Sequence, residues 1–190
     1  MTWTTLASLF FAGLGAGFID SIAGGGGLIS IPALLAAGLP PQIALGTNKF
    51  QSTWGTLVAV TRYARAGMMR TPWLWLAVVT AFPASVCGAY LVTIASNEIL
   101  KKIIPWMLAV VAVYAALHPR VGVHPARQKL SPALFAPLFG AGLGLYDGFF
   151  GPGVGTFGTI ACIAALGLDF RHATGYTKAA NLASNLSALT

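Results

Sequence analysis

Hydrophobic positions in this chain come in long, nearly unbroken runs rather than in the alternating or 3.6-residue patterns of a half-buried element. Uncharged stretches cover residues 1–19, 21–48, 71–97, 103–117, 130–146 and 148–168. A helix needs roughly 20 mostly apolar residues to cross a bilayer, so residues 72–94 and 99–117 predict two spanning helices. Pro83 and Pro105 lie inside them, a placement that neighbouring helices tolerate in lipid. Three regions depart from this pattern. Residues 3–38 are apolar but broken by the glycines at 24–27, and residues 42–65 place NKFQST in the first half of a predicted helix. Residues 131–168 are broken by YDGFFGPGVGTFG at 146–158, which sets an aspartate, five glycines and a proline inside apolar sequence.

Composition turns these runs into a class. Of 190 residues, 56% are hydrophobic and 8% charged, with a mean hydropathy of +0.77; a soluble domain carries about 25% charged residues. The expectation is an all-α, polytopic integral membrane protein in contact with the lipid bilayer. The N-terminal run lacks a basic region and ends in Asp20 and glycines, so it reads as a retained first helix and not a signal peptide. Cys87 and Cys162 both fall in apolar segments, which argues against a disulfide framework.

Net charge is +7, from 11 basic and 4 acidic residues. No basic run is interleaved with aromatics, so nucleic acid is not an expected partner. Most of the charge lies in short loops and sets an orientation instead. Arg62, Arg65 and Arg70 form one cluster, and Arg120, Arg127 and Lys129 another, two spans later. Both clusters then share a face, which the positive-inside rule makes cytoplasmic. Glu98, Lys101 and Lys102 fall on the other face, and Tyr63, Trp73 and Trp75 flank the first cluster as an interfacial belt.

The chain repeats itself. GLGAGFIDSIAGGGG at 13–27 aligns with GAGLGLYDGFFGPGV at 140–154, matching Gly13, Gly15, Gly17, Asp20, Gly24 and Gly26 to Gly140, Gly142, Gly144, Asp147, Gly151 and Gly153. After a two-residue slip, GLPPQIALGTNK at 38–49 aligns with GLDFRHATGYTK at 167–178, so Lys49 matches Lys178. Each copy predicts a glycine-broken, re-entrant apolar hairpin followed by a helix with a polar first half. Three crossings between the copies make them inverted, and Arg171 and His172 in place of Gln42 and Ile43 agree with a cytoplasmic second loop. Inverted repeats with broken helices are a transporter architecture with the site near the midplane. The expected division is a first membrane repeat at 1–117, a cytoplasmic basic loop at 118–130 and a second, incomplete repeat at 131–190. The second copy reaches Thr190 after three of the first copy's five elements, which predicts a C-terminally truncated chain.

Within this frame the candidate chemistry is sparse. Lys49 lies about 12 Å into its helix at the α-helical rise, and Lys178 is at the matching place. A lysine at such depth is costly unless it is paired or reaches water. Either both side chains snorkel to the interface, or they line a cavity that attracts an anion; their recurrence favours the cavity. Asn48, Gln51, Ser52, Thr177, Asn181, Ser184 and Asn185 surround them and either donate to an oxyanion or bond between helices. Broken helix ends add backbone donors, so Gly25, Gly26, Gly151 and Gly153 join the candidate binding residues. Asp20 and Asp147, just before the glycine tracts, are expected to cap the following backbone, to pair with a lysine or to carry a coupling proton, capping being the first choice. Gly13/Gly17 and Gly140/Gly144 fit tight helix packing better than binding.

Other chemistry is disfavoured. GVGTFG at 153–158 matches a dinucleotide fingerprint but lacks the strand and βαβ unit that give it meaning. His118, His124 and His172 are scattered, with no metal-ligand spacing, and no nucleophile–base pair stands out. Neither a cofactor nor a metal is expected, and an enzyme is not.

The combination GFIDSIAGGGGLISIPALLAAGLPPQIALGTNK, YDGFFGPGVGTF and LGLDFRHATGYTKAANLASN resembles the TauE/SafE family of sulfite and sulfonate exporters over nearly the whole chain. The resemblance implies a multi-pass permease of the bacterial inner membrane that moves sulfite or organosulfonate anions. By position it carries over Asp20, the glycines at 24–27, Asn48, Lys49, Asp147, Gly151, Gly153, Thr177, Lys178, Asn181 and Asn185. The reading is therefore a permease exporting a small sulfur-containing anion by alternating access, the alternative being a non-transporting membrane subunit or scaffold.

Overall fold

The glycine tracts dictate where the apolar runs bend. A computed structural model describes residues 2–22, 24–70, 73–117 and 127–190. The described residues form eight helices and no strand: α1 (Trp3–Ile22), α2 (Gly27–Ala36), α3 (Pro41–Arg65), α4 (Leu74–Ile94), α5 (Asn97–Leu117), α6 (Pro132–Phe149), α7 (Val154–Leu166) and α8 (Phe170–Ser187). Pro72, Arg120, His118, His124 and most of the predicted basic loop lie outside the described residues. The helices α1, α4 and α5 are long and apolar enough to cross a membrane. By contrast α2 and α7, at 10 and 13 residues, reach only about 15 and 20 Å, short of the roughly 30 Å hydrocarbon core.

Both hairpins turn back on themselves. Thr4, Thr5 and Ser8 of α1 share a cavity with Ala33, Ala36 and Ala37 of α2, so the hairpin's two ends meet. At the second hairpin, the amides of Lys129 and Leu130 donate to Ala165 O at 2.9 and 3.0 Å, tying the approach to α6 to the end of α7. The two hairpins enter from opposite faces. Gln42, at the start of α3, donates to the carbonyls of Val92, Thr93 and Ala95 at the end of α4. Gly175, at the start of α8, instead lies under Tyr63 and Met68, at and beyond the end of α3. Hence α3 and α8 run antiparallel, and Arg62, Arg65, Arg70, Lys129 and Arg171 gather on one face while Lys101 and Lys102 take the other. That distribution makes the first face cytoplasmic. Asp169 caps α8 there through the amides of Arg171 and His172; its slight burial disfavours charge, but the bonds from His172 outweigh this and hold its carboxyl below the ordinary value.

Helix pairing repeats as the sequence does. The set α1, α2 and α3 packs pairwise, α6, α7 and α8 likewise, and α3 meets α8 between the copies. Small residues close the largest seam: a Cβ on Gly140, Gly144 or Gly148 would run into the backbone of Ala77, Ala81 or Ser85 of α4. Gly13 faces open space and Gly17 meets only Gln51, so the tight packing expected of both glycine pairs occurs in the second copy alone. Phe10, Phe11, Phe18, Phe50, Trp54, Trp106 and Val110 point outward, as lipid-facing side chains do. A Gly144→Leu substitution is expected to destabilise the protein in detergent by roughly 1–3 kcal/mol, the usual range for overpacking. Gly142→Leu, where the added side chain meets open space, is expected to leave the melting temperature unchanged.

Candidate functional site

The glycine tracts bring the two hairpin bends into contact. A Cβ on Gly24 would lie 2.7 Å from Gly155 Cα, and one on Gly27 would lie 2.9 Å from Pro152 Cγ. Gly24 and Gly151 adopt φ of +78° and +97°, the left-handed region that glycine enters without strain. Gly151 is also packed close, because a Cβ there would stand 2.9 Å from Lys49 Nζ and 3.0 Å from Asp147 Oδ1.

Around this contact sits a ring of buried polar side chains, drawn in equal measure from both copies. Lys49 Nζ donates to Asp147 Oδ1 across the repeats and to Asn185 Oδ1 at 3.2 Å. The matching lysine, Lys178, donates to the backbone carbonyl of Asp20, also across the repeats. Within each copy the aspartate takes a hydrogen bond from the residue three after the lysine: Ser52 Oγ to Asp20 Oδ2 at 2.8 Å, and Asn181 Nδ2 to Asp147 Oδ2 at 2.7 Å. Seven residues after each lysine come Thr56 and Asn185, and these partners bond to each other at 3.3 Å on the axis between the copies. Both lysines are at most 4% exposed, so neither snorkels to the interface.

The symmetry is broken at the aspartates, for a reason visible in the chain. Asp20 Oδ1 accepts from the amides of Gly25 and Gly26 at 3.0 and 2.9 Å, so Asp20 caps its bend as expected. Asp147 does not. The residue matching Gly25 is Pro152, which has no N–H to give, and the residue matching Gly55 is Ser184, whose hydroxyl donates to Asp147 Oδ2. Freed from capping and supplied with side-chain donors, the Asp147 carboxylate pairs with Lys49. Of the expected roles, pairing with a lysine is the one Asp147 adopts in place of capping.

Asp20, Gly25, Asn48, Asp147, Gly151, Asn181 and Asn185 line one enclosed cavity of about 10 Å³, room for about one water molecule. The ammonium groups of Lys49 and Lys178 lie at its margins, beside Gly151 and Gly24. Three candidates fall elsewhere. Gly153 packs against Val111 and Phe157, away from the cavity; the amide of Gly26 is taken by Asp20; and Thr177 Oγ1 turns back to Ala173 O at 2.9 Å. Asn48, at the matching position, reaches Ser30 Oγ at 2.6 Å. Gln51 donates to Gly13 O and braces α1 against α3. Thr56 and Ser30 belong to the site but were not singled out in the sequence; the recurrence of a polar residue seven places after each lysine is the signal for Thr56.

A second cavity of about 220 Å³, lined by Gln42, Gly46, Lys49, Val92, Thr93 and Gly148 among others, leads from the start of α3 to Lys49. Gly46 faces open space, whereas the matching Gly175 is covered by Met68, Met69 and Tyr63 on the cytoplasmic face.

Comparison with known proteins adds the family. Residues 9–190 match the sequence model described as "Sulfite exporter TauE/SafE". A "Probable membrane transporter protein" of Haemophilus influenzae is 41% identical over 182 residues, covering 96% of this chain and 71% of that protein. "Probable membrane transporter protein YfcA" of Escherichia coli K12 is 38% identical, over 97% of this chain and 68% of the relative. "Sulfite exporter TauE/SafE family protein 5" of Arabidopsis thaliana is 35% identical over 78 residues, 40% of this chain and 17% of that protein. No solved structure matches significantly.

Removing one partner of a buried ion pair strands the other charge, at a cost of about 3–5 kcal/mol. Asp147→Ala is expected to lose that much stability in a denaturant titration of the detergent-solubilised protein. The double change Lys49→Met with Asp147→Leu is expected to recover most of it; additive losses would show that the two groups do not act as a pair.

Proposed function

The chain belongs to the TauE/SafE family of membrane transporters, and on that premise we propose that it is an inner-membrane permease exporting a small sulfur-containing anion, sulfite or an organosulfonate. One observation carries the reading. Two lysines, one from each inverted repeat, are buried where the two hairpin bends meet. Buried ammonium groups without a ligand role are rare at membrane depth, and here they are accompanied by amide and hydroxyl donors from Asn48, Ser52, Asn181 and Asn185. Such a set fits an oxyanion, whose several oxygens each accept hydrogen bonds. The family description and the Arabidopsis relative's name point to sulfite among oxyanions.

The same geometry supports alternating access as the mode of transport. With residues 1–117 as one repeat and 131–190 as the other, joined by a basic loop at 118–130, the vestibule at Gly46 is open and its counterpart at Gly175 is shut. Rocking one repeat against the other would shut the first and open the second. Lys49 then meets the anion from the outer face and Lys178 from the inner.

The test is flux in proteoliposomes. Sulfite and methanesulfonate exchange is expected, with Lys49→Ala or Lys178→Ala each lowering it at least about tenfold, since a charge-assisted hydrogen bond contributes roughly 1.5–3 kcal/mol. Undiminished flux in both variants would sink the lysine site. In a cysteine-free background, Gly46→Cys is expected to react with a membrane-impermeant thiol reagent from the outer face while Gly175→Cys is protected from the cytoplasmic face. Equal labelling of both would remove the one-sided access.

A further inference from the structure

We propose that Asp147 carries a proton with each transported anion, the anion taking the place of its carboxylate on Lys49 Nζ. This rests on the permease reading and adds a coupled proton to it; because such coupling draws the anion toward the alkaline side, export into a more acidic exterior would run on the anion's own outward gradient.

The argument begins with what the ammonium already holds. Lys49 Nζ is bonded to Asp147 Oδ1 and Asn185 Oδ1, both acceptors. The vestibule from the outer face ends on Lys49 and Gly148, next to that pair, and the enclosed cavity beyond it is about 10 Å³. An arriving oxyanion therefore competes with the carboxylate for the same ammonium. The third N–H of the ammonium can hold it at the vestibule, but passage into the small cavity beyond requires the carboxylate to give way.

Charge counting gives the second constraint. The ionisable groups facing this centre are Asp20 from α1, Lys49 from α3, Asp147 and the Tyr146 phenol from α6, and Lys178 from α8. Tyr146 donates its hydroxyl to Pro152 O at 2.7 Å, and Cys162 of α7 faces Thr177 instead. Among the described residues, α2 and α4 bring the hydroxyls of Ser30 and Ser85. Two lysines and two aspartates sum to zero, so a monoanion alone would leave a net negative charge in a low-dielectric site. One proton taken up with it restores neutrality.

Of the two carboxylates, Asp147 is the one arranged to accept it. Asp20 Oδ1 is held by two backbone amides, which can only donate. At Asp147, Ser184 Oγ can reverse from donor to acceptor and Oδ1 is vacated by Lys49 as the anion arrives, with Asn181 Nδ2 staying on Oδ2. In the step itself a proton from the aqueous vestibule adds to the carboxylate, the Lys49 hydrogen bond to Oδ1 breaks, and one to an anion oxygen forms. No covalent bond of the anion changes, and both ligands leave together when the opposite vestibule opens.

The experiment uses proteoliposomes and radiolabelled methanesulfonate, whose acid is fully ionised and brings no proton of its own. With the membrane potential clamped at zero, a gradient of one pH unit is expected to drive accumulation toward about tenfold on the alkaline side, as one proton per anion requires. Asp147→Asn is expected to lose this accumulation, the ratio falling to about one. Ser184→Ala, which removes a donor that favours the ionised carboxylate, is expected to move the pH dependence of driven uptake upward. Wild-type protein that exchanges the anion across the membrane without responding to the gradient would overturn the proposal and leave the permease standing. Gradient-driven accumulation that survives Asp147→Asn would overturn it too. Absence of any anion exchange in wild type would instead remove the permease reading on which it rests.

Discussion

The interaction on which the centre of this protein depends is the ion pair between Lys49 and Asp147, because it joins the two repeats where a lone charge is least tolerable. A buried carboxylate and a buried ammonium each need a partner, and here each is supplied by the opposite copy. The pair fixes how closely the hairpin bends approach, and the bends in turn need glycine where they meet. Gly24, Gly151 and Gly155 are consequences of that closeness as much as its cause. The same pair lies between the two cavities, Lys49 lining the outer one and Asp147 the smaller one.

Two copies that repeat in sequence do not give two identical half-sites. Replacing the glycine at position 25 by Pro152 in the second copy removes an amide, and replacing Gly55 by Ser184 adds a hydroxyl. These exchanges turn one aspartate into a backbone cap and the other into an ion-pair partner. The asymmetry extends outward, with Gly46 open and Gly175 covered.

Much of this was legible in the chain. Apolar runs of spanning length, glycine tracts that cannot continue a helix, and basic residues concentrated on one face set the helices, the bends and the inversion, each by a rule of bilayer physics. The lysines stood out because an ammonium eight residues into a helix has few bland explanations. What escaped was decided by single atoms. Nothing in periodicity says that a proline amide is missing where an aspartate needs one. Thr177 looked equivalent to Asn48, yet its short hydroxyl falls back on its own helix carbonyl while the longer Asn48 amide reaches Ser30. The Met68–Met69 cover over Gly175 lies in a turn whose position only the packed fold defines.

The most direct test of the account is equilibrium binding of radiolabelled sulfite to the purified, detergent-solubilised protein, compared with its Lys178→Met variant. Lys178 is the lysine without a carboxylate within ion-pair distance, so its loss leaves the Lys49–Asp147 pair in place. The account predicts one saturable site in the wild type and at least about tenfold weaker binding in the variant. Equal affinity in the two proteins would contradict it, because the anion would then lie somewhere other than between the repeats.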